Sequence, residues 1–315
     1  EPLHLDVLSA VWHSDASAWA GGEKPRVIGG RFGLSSKEFT PAMAKAVFDE
    51  AAAAQPINPF TVGIVDDVSH TSLTVDPTFR TDTAKVRAVF FGLGSDGTVG
   101  ANKNTAKIVG ANSDLDVQAY FVYDSKKSGS MTVSHVRFDD RPIGSTYLID
   151  EATFVGVHQW NLLQRMDVLG LAAPGATVLV NSPYGADDVW AHLTVEVQEQ
   201  VLAKGLTLWA IDAAAVARDA GLGNRINTVM QTCFFQLSGV LPTEEALAEL
   251  KEAIAHSYGS RGEVIVERNV AAVDRALAHL HRVPVGAAVT ATDRRRPPVS
   301  GEAPDFVQRV TARML

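Results

Sequence analysis

Phe90-Phe91-Gly92-Leu93-Gly94-Ser95-Asp96-Gly97-Thr98-Val99-Gly100-Ala101-Asn102-Lys103 decides how this chain reads. The β-branched and aromatic run Val86 to Phe91 enters it as a predicted strand, and a predicted helix leaves it. Gly92, Gly94 and Gly97 match G-x-G-x-x-G in the strand–turn–helix context that gives the pattern meaning. Glycines let the backbone turn tightly and approach a diphosphate; the amides that follow and the helix N-terminus supply donors and positive potential. Lys103 is followed by Asn104, so this is no Walker A loop. A purely structural turn is the competing reading.

Around this loop, strand and helix signals alternate. Phe60 to Val65, Val117 to Tyr123, Met131 to Phe138, Thr177 to Val180 and Leu206 to Ile211 read as further strands. Helices are predicted over Ala42 to Ala54, Thr105 to Val109, Val189 to Ala203, Ala213 to Ala220, Arg225 to Leu237, Glu244 to Tyr258 and Val264 to Leu280. Thr40 before Pro41 is an N-cap followed by proline in the first turn, and Thr243 is a second candidate cap. Leu3 to Val11 reads as a short mixed apolar stretch. Near-continuous apolar strands between helices predict an α/β fold, a three-layer α/β/α sandwich. Its mostly parallel sheet is Rossmann-like, with the last three helices as a closing layer. The core spans roughly Arg26 to Val283, cut from a longer polypeptide.

The 315 residues carry 36 acidic and 28 basic side chains, a net charge of −8, with 46% apolar residues and one cysteine. That composition is globular and argues against nucleic acid as a partner. A lone cysteine excludes an internal disulfide and any cluster ligated by cysteines of this chain. No apolar run reaches the ~18 residues of a membrane span, and no signal peptide opens the chain, so no membrane association and a cytoplasmic location are expected.

Asp124 ends a predicted strand but is followed by Ser125-Lys126-Lys127, which suits a phosphate on a ribose better than bare hydroxyls. That points to NADP or coenzyme A, with a solvated basic turn as the bland alternative. Gly29-Gly30-Arg31-Phe32-Gly33 is a second glycine-rich turn, able to hold a phosphate or simply to join two elements. Asp66 and Asp67 sit at a strand end but point to opposite sides, a poor acid/base pair. Asn224-Arg225-Ile226-Asn227 opens a helix and could meet a polar ligand, or Asn224 could be a plain cap. The nine histidines form no ligand set, and Cys233 among phenylalanines reads as core.

Several of these motifs, in this order, resemble one family. They are Arg31-Phe32-Gly33-Leu34-Ser35-Ser36-Lys37-Glu38-Phe39-Thr40-Pro41, the Gly92–Lys103 stretch, Tyr123-Asp124-Ser125-Lys126-Lys127-Ser128-Gly129, Asn181-Ser182-Pro183, and Arg225-Ile226-Asn227-Thr228-Val229-Met230-Gln231-Thr232. The resemblance is to the central, gamma-type domain of pyruvate:ferredoxin (flavodoxin) oxidoreductase. It implies an end of a preceding domain and linker over 1–24, the gamma-type domain over 25–283 and a linker towards the next domain over 284–315. That family is multidomain and converts a 2-oxoacid and coenzyme A to acyl-CoA and carbon dioxide, passing two electrons to ferredoxin or flavodoxin. Thiamine diphosphate, magnesium and 4Fe-4S clusters belong to its other domains, and the full chain is a homodimer. The resemblance therefore implies no catalytic residue and no metal site in this segment. It implies coenzyme A binding by Ser95, Asp96, Gly97, Thr98, Val99, Lys127, Asn227 and Asn269, which would position the thiol for attack on an acyl-thiamine intermediate. Val157-His158-Gln159-Trp160-Asn161 departs from the family pattern. A stand-alone NADP-dependent oxidoreductase and a ligand-free interdomain docking module are the alternatives.

Overall fold

A computed structural model describes residues 2–33, 38–64, 68–81, 84–123 and 129–312. The chain divides into two compact units, residues 1–82 with 145–148 and residues 83–144 with 149–315. This division by compactness runs differently from the 1–24, 25–283 and 284–315 segments expected of the parent polypeptide, because residues 25–82 build a small sheet of their own.

In the first unit, helix α1 (Pro2–His13) occupies the stretch read as a short mixed apolar segment, to which no element was assigned. Strand β1 (Gly30–Phe32) pairs in parallel with β2 (Phe60–Val62), so the second glycine-rich turn is in part a strand. Gly30 has no Cβ where the Phe60 ring packs. Between them lies α2 (Pro41–Ala52), capped as expected by Thr40, whose hydroxyl accepts from the Met43 amide at 3.3 Å. Asp66, Asp67 and residues 34–37, on which other expectations fell, lie outside the described residues.

The second unit is built on β3 (Val86–Leu93), the strand that carries the glycine loop. Helix α3 (Thr98–Asn112) crosses to β4 (Asp116–Tyr123), and β5 (Met131–Asp139) returns between them. Then follow β6 (Ala152–Val157), α4 (Asn161–Arg165), β7 (Ala172–Asn181), α5 (Ala186–Val189), α6 (Val195–Lys204), β8 (Thr207–Ile211) and α7 (Ala213–Asp219). Helices α8 (Asn227–Ser238), α9 (Thr243–Tyr258) and α10 (Glu263–Ala276) and a short β9 (His281–Arg282) end the unit. The sheet order is β4-β5-β3-β6-β7-β8-β9. β3, β6, β7 and β8 pair in parallel at the centre, while β5 and β9 run the opposite way. The fold is thus α/β as expected, around a sheet that is parallel at its middle and mixed at its edges.

One face of the sheet packs Phe90, Phe138 and Phe154 against α3, α7, α8, α9 and α10. The other packs Val89, Phe91, Val155, Val178 and Val180 against α4, α5 and α6. These are the three layers. β6 was not foreseen, although it pairs with strands on both sides and has only one residue, Thr153, that is not fully buried. The helix predicted over 189–203 is broken, with Leu193 and Thr194 extended between α5 and α6. Thr243 is the first residue of α9 rather than its cap, a place taken by Pro242. Asn224 caps nothing, since α8 starts at Asn227 after Ile226.

Candidate functional site

Parallel strands deliver their C-terminal ends to one edge of the sheet, where ligands of open α/β folds collect. At that edge β3 ends in the glycine loop, β6 in His158 and Gln159, and β7 in Asn181. The loop makes two left-handed turns, at Ser95 (φ +76°) and Gly97 (φ +89°). Gly92 and Gly97 are needed for close approach. A Cβ on Gly92 would collide with the Thr98 hydroxyl, and one on Gly97 would lie 2.8 Å from the Asn227 side chain.

Hydrogen bonds divide the loop into an inner and an outer set. The Asp96 carboxylate accepts from the amides of Leu93 (2.7 Å) and Thr98 (2.9 Å) and from Gln159 Nε2 (3.3 Å). The Asp96 amide donates to Leu93 O, and the Gly94 amide to Ser130 O at 2.7 Å. Thr98 is fully buried, and its Oγ1 lies 2.9 Å from His158 Nδ1. That leaves the amides of Ser95, Gly97, Val99 and Gly100 with no partner among the described residues. The first turn of α3 contributes the last two, as helix N-termini do. Left-handed turns with unpaired amides are a backbone arrangement that can accept an anion.

Asn227, the first residue of α8, lies against Gly97 and is half-buried. Asn269 on α10 is buried, and its amide is engaged within the fold. Its Oδ1 accepts from Thr228 Oγ1 at 3.0 Å, and its Nδ2 donates to Ile265 O at 2.8 Å. Asn269 thus meets the site through the residue next to Asn227. Lys127 lies outside the described residues, as does Asp124. The next described residue, Gly129, donates its amide to Gly94 O at 3.2 Å. Ser95, Asp96, Gly97, Thr98, Val99 and Asn227 therefore come together. Asp96 and Thr98 do so with both their side chains and their amides engaged within the fold.

Sequence reasoning did not select His158, Gln159 or Asn181 as site residues. His158 is buried, which pushes its imidazole down to about 4 against the opposing pull of the Asp96 carboxylate. Its backbone amide donates to Phe91 O at 2.9 Å, and its carbonyl accepts from Asn181 Nδ2 at 3.0 Å. The signal that could have found it was the unassigned run Ala152–Val157: a strand there puts the next residue at the ligand edge. Beyond it, Trp160 meets the Tyr184 ring edge-on at 5.2 Å, and Tyr184 stacks nearly parallel on His192 at 3.7 Å. Among the described residues no group of His, Cys, Asp and Glu could hold a metal. Cys233 is buried, and its thiol is pushed up to about 12, as a core residue's would be.

A three-layer α/β domain with a glycine loop at its parallel strand ends has the architecture of the Rossmann-like class, in which such loops commonly meet anions. The family model described as pyruvate ferredoxin/flavodoxin oxidoreductase matches residues 87–279, and the chain belongs to that family. It is 53% identical to the pyruvate-flavodoxin oxidoreductase of Rhodospirillum rubrum, covering all of this chain and 26% of that protein. It is 52% identical to the enzyme of the same name from Nostoc, covering all of this chain and 27% of that one. The chain thus spans about a quarter of the length of these relatives. The fold is shared with the pyruvate oxidoreductase subunit PORC of Thermotoga maritima, with a TM-score of 0.51 at 16% identity over 64% of this chain and 99% of that one.

Proposed function

We propose that this chain is the coenzyme A-binding, gamma-type domain of a thiamine-diphosphate-dependent pyruvate:ferredoxin or pyruvate:flavodoxin oxidoreductase. The whole enzyme would turn pyruvate and coenzyme A into acetyl-CoA and carbon dioxide and pass two electrons to ferredoxin or flavodoxin. The observation that carries this reading is the run of amides at Ser95, Gly97, Val99 and Gly100 with no partner among the described residues, on a loop whose acidic side chain is turned inward. The diphosphate of coenzyme A fits those donors, and with both oxygens of Asp96 occupied by amides its carboxylate faces the loop rather than the phosphates. Asn227 offers a side-chain amide beside Gly97, Asn269 supports it through Thr228, and Lys127 supplies a point charge for the ribose phosphate.

The domain's contribution is positioning. Holding a thiol in the right place raises its effective concentration at the reacting centre and needs no new acid or base. Thiamine diphosphate supplies the carbon chemistry from another domain, and the electrons leave through that enzyme's iron–sulfur clusters. The residues of this chain bind and orient coenzyme A. The remaining domains, a second copy of the full chain, and the electron acceptor are its partners.

Calorimetric titration of the folded chain with coenzyme A, dephospho-coenzyme A and NADP tests this. Saturable binding of coenzyme A, weakened about tenfold by loss of the ribose phosphate and likewise by Lys127→Ala, is expected. A preference for NADP would instead support a dehydrogenase, and no binding by a folded chain would leave a docking module.

A further inference from the structure

The glycine loop owes its shape to groups that lie outside it. Thr98 is fully buried, so its hydroxyl meets no ligand; it meets His158 Nδ1 at 2.9 Å, from the end of the neighbouring strand β6. Gln159, the next residue, reaches the Asp96 carboxylate at 3.3 Å. His158 is itself held at three points. Its amide extends the β6–β3 ladder to Phe91 O, its carbonyl takes Asn181 Nδ2, and its ring stands edge-on to Phe90 at 6.2 Å. Asn181 in turn accepts from the Ala213 amide at 3.1 Å, which ties the arrangement to the start of α7. Gly92 completes it, since any Cβ there would occupy the place of the Thr98 hydroxyl.

We propose that His158 is a positioning residue for the anion loop. By holding the Thr98 hydroxyl, with Gln159 holding Asp96, it fixes the two left-handed turns and keeps the Ser95 and Gly97 amides aimed outward. The ring is uncharged near neutral pH, because burial holds its titration near 4. It therefore adds no charge for a phosphate to feel and works as a hydrogen-bonding strut. The identity of the bound anion as coenzyme A rests on the function proposed above; the strut itself does not.

The test uses the full-length enzyme containing this chain, with His158→Ala, His158→Asn, Thr98→Val and the His158→Ala/Thr98→Val double variant. Two readouts are taken: KM for coenzyme A against KM for pyruvate, and hydrogen exchange of the amides of residues 95–100. His158→Ala is expected to raise KM for coenzyme A about tenfold, the scale of one lost buried hydrogen bond, with KM for pyruvate unmoved and loop exchange accelerated. Asparagine places a polar atom near the position of Nδ1 and restores most of both. Thr98→Val matches His158→Ala, and the double variant is no worse than either, because both remove the same bond. Unchanged loop exchange in both single variants would overturn the proposal, as would additive effects in the double one. Asn227→Ala separates the two readings. If it too leaves KM for coenzyme A unmoved, the coenzyme A assignment fails and loop exchange alone decides for or against the strut. If it raises KM while His158→Ala and Thr98→Val do not, the strut fails alone.

Discussion

Gly97 stands at φ +89° with its missing Cβ filled by Asn227, so an alanine there meets two penalties at once. A left-handed non-glycine residue costs roughly 1–2 kcal/mol, and the collision with Asn227 must also be relieved. Gly97→Ala is expected to lower the melting temperature and weaken coenzyme A binding more than tenfold, as read by thermal shift and titration. Gly110 in the interior of α3 is the opposite case. A Cβ there would make only an ordinary 3.6 Å contact with Val117. Gly110→Ala should raise stability by about 0.5–1 kcal/mol with affinity unchanged. The identity of the residue is the same; its place in the fold sets the sign. At this scale the loop glycines were legible as a pattern, but which side chains they make room for was not. Thr98 and Asn227 reach Gly92 and Gly97 from the next element and from a distant helix.

Among the elements, α8 binds the site to the core. Phe234 on its buried face lies 5.2 Å from the Phe90 ring and 5.0 Å from that of Phe154, both edge-on, while Asn227 at its start touches the loop. Phe234→Ala should cost about 3–5 kcal/mol, read by chemical denaturation, with the cavity adding to the lost burial. Because the helix then loses its seat, coenzyme A affinity should fall as well, although Phe234 touches no ligand. β6 is the element that sequence reading passed over. Ala152-Thr153-Phe154-Val155-Gly156-Val157 is short and interrupted by a glycine, which lowers its strand signal. Gly156 is there because a Cβ would collide with the Phe90 ring. Conversely, the continuous helical signal over 189–203 hid the break at Leu193 and Thr194, where the chain turns from α5 into α6.

At the scale of the whole molecule, two buried imidazoles contribute to its acid sensitivity. His135 accepts from the Ile149 amide at 3.1 Å; burial, aided by the charge of Arg137, pushes its titration from 6.5 down to about 4. His158 is pushed to about 4 as well, chiefly by burial. Both are neutral in the folded chain and must charge on unfolding, so the unfolded state binds more protons below 6.5. Their contribution is complete above pH 6.5 and is lost as the pH falls towards 4. Each is worth up to about 3 kcal/mol. Melting temperature should therefore be flat from pH 8 to 7 and decline steadily between about 6.5 and 4. No decline in that window would contradict the burial of these rings. No helix among the described residues is long and apolar enough to cross a membrane.

The sequence by itself determined the α/β class, the strand–glycine–helix order around Gly92–Gly97, the capped α2 and the family, because these rest on local patterns of period, turn chemistry and motif. Only the tertiary structure decided that β6 lies beside β3 and brings His158 under the loop. It likewise turned the Asp96 and Thr98 side chains inward and joined Asn269 to the site through Thr228. The bonds of His158 to Thr98, of Gln159 to Asp96 and of Thr228 to Asn269 join residues far apart in the chain, and no local spacing encodes them. Which amides a loop leaves free for a ligand depends on which of its polar groups the rest of the fold has already taken.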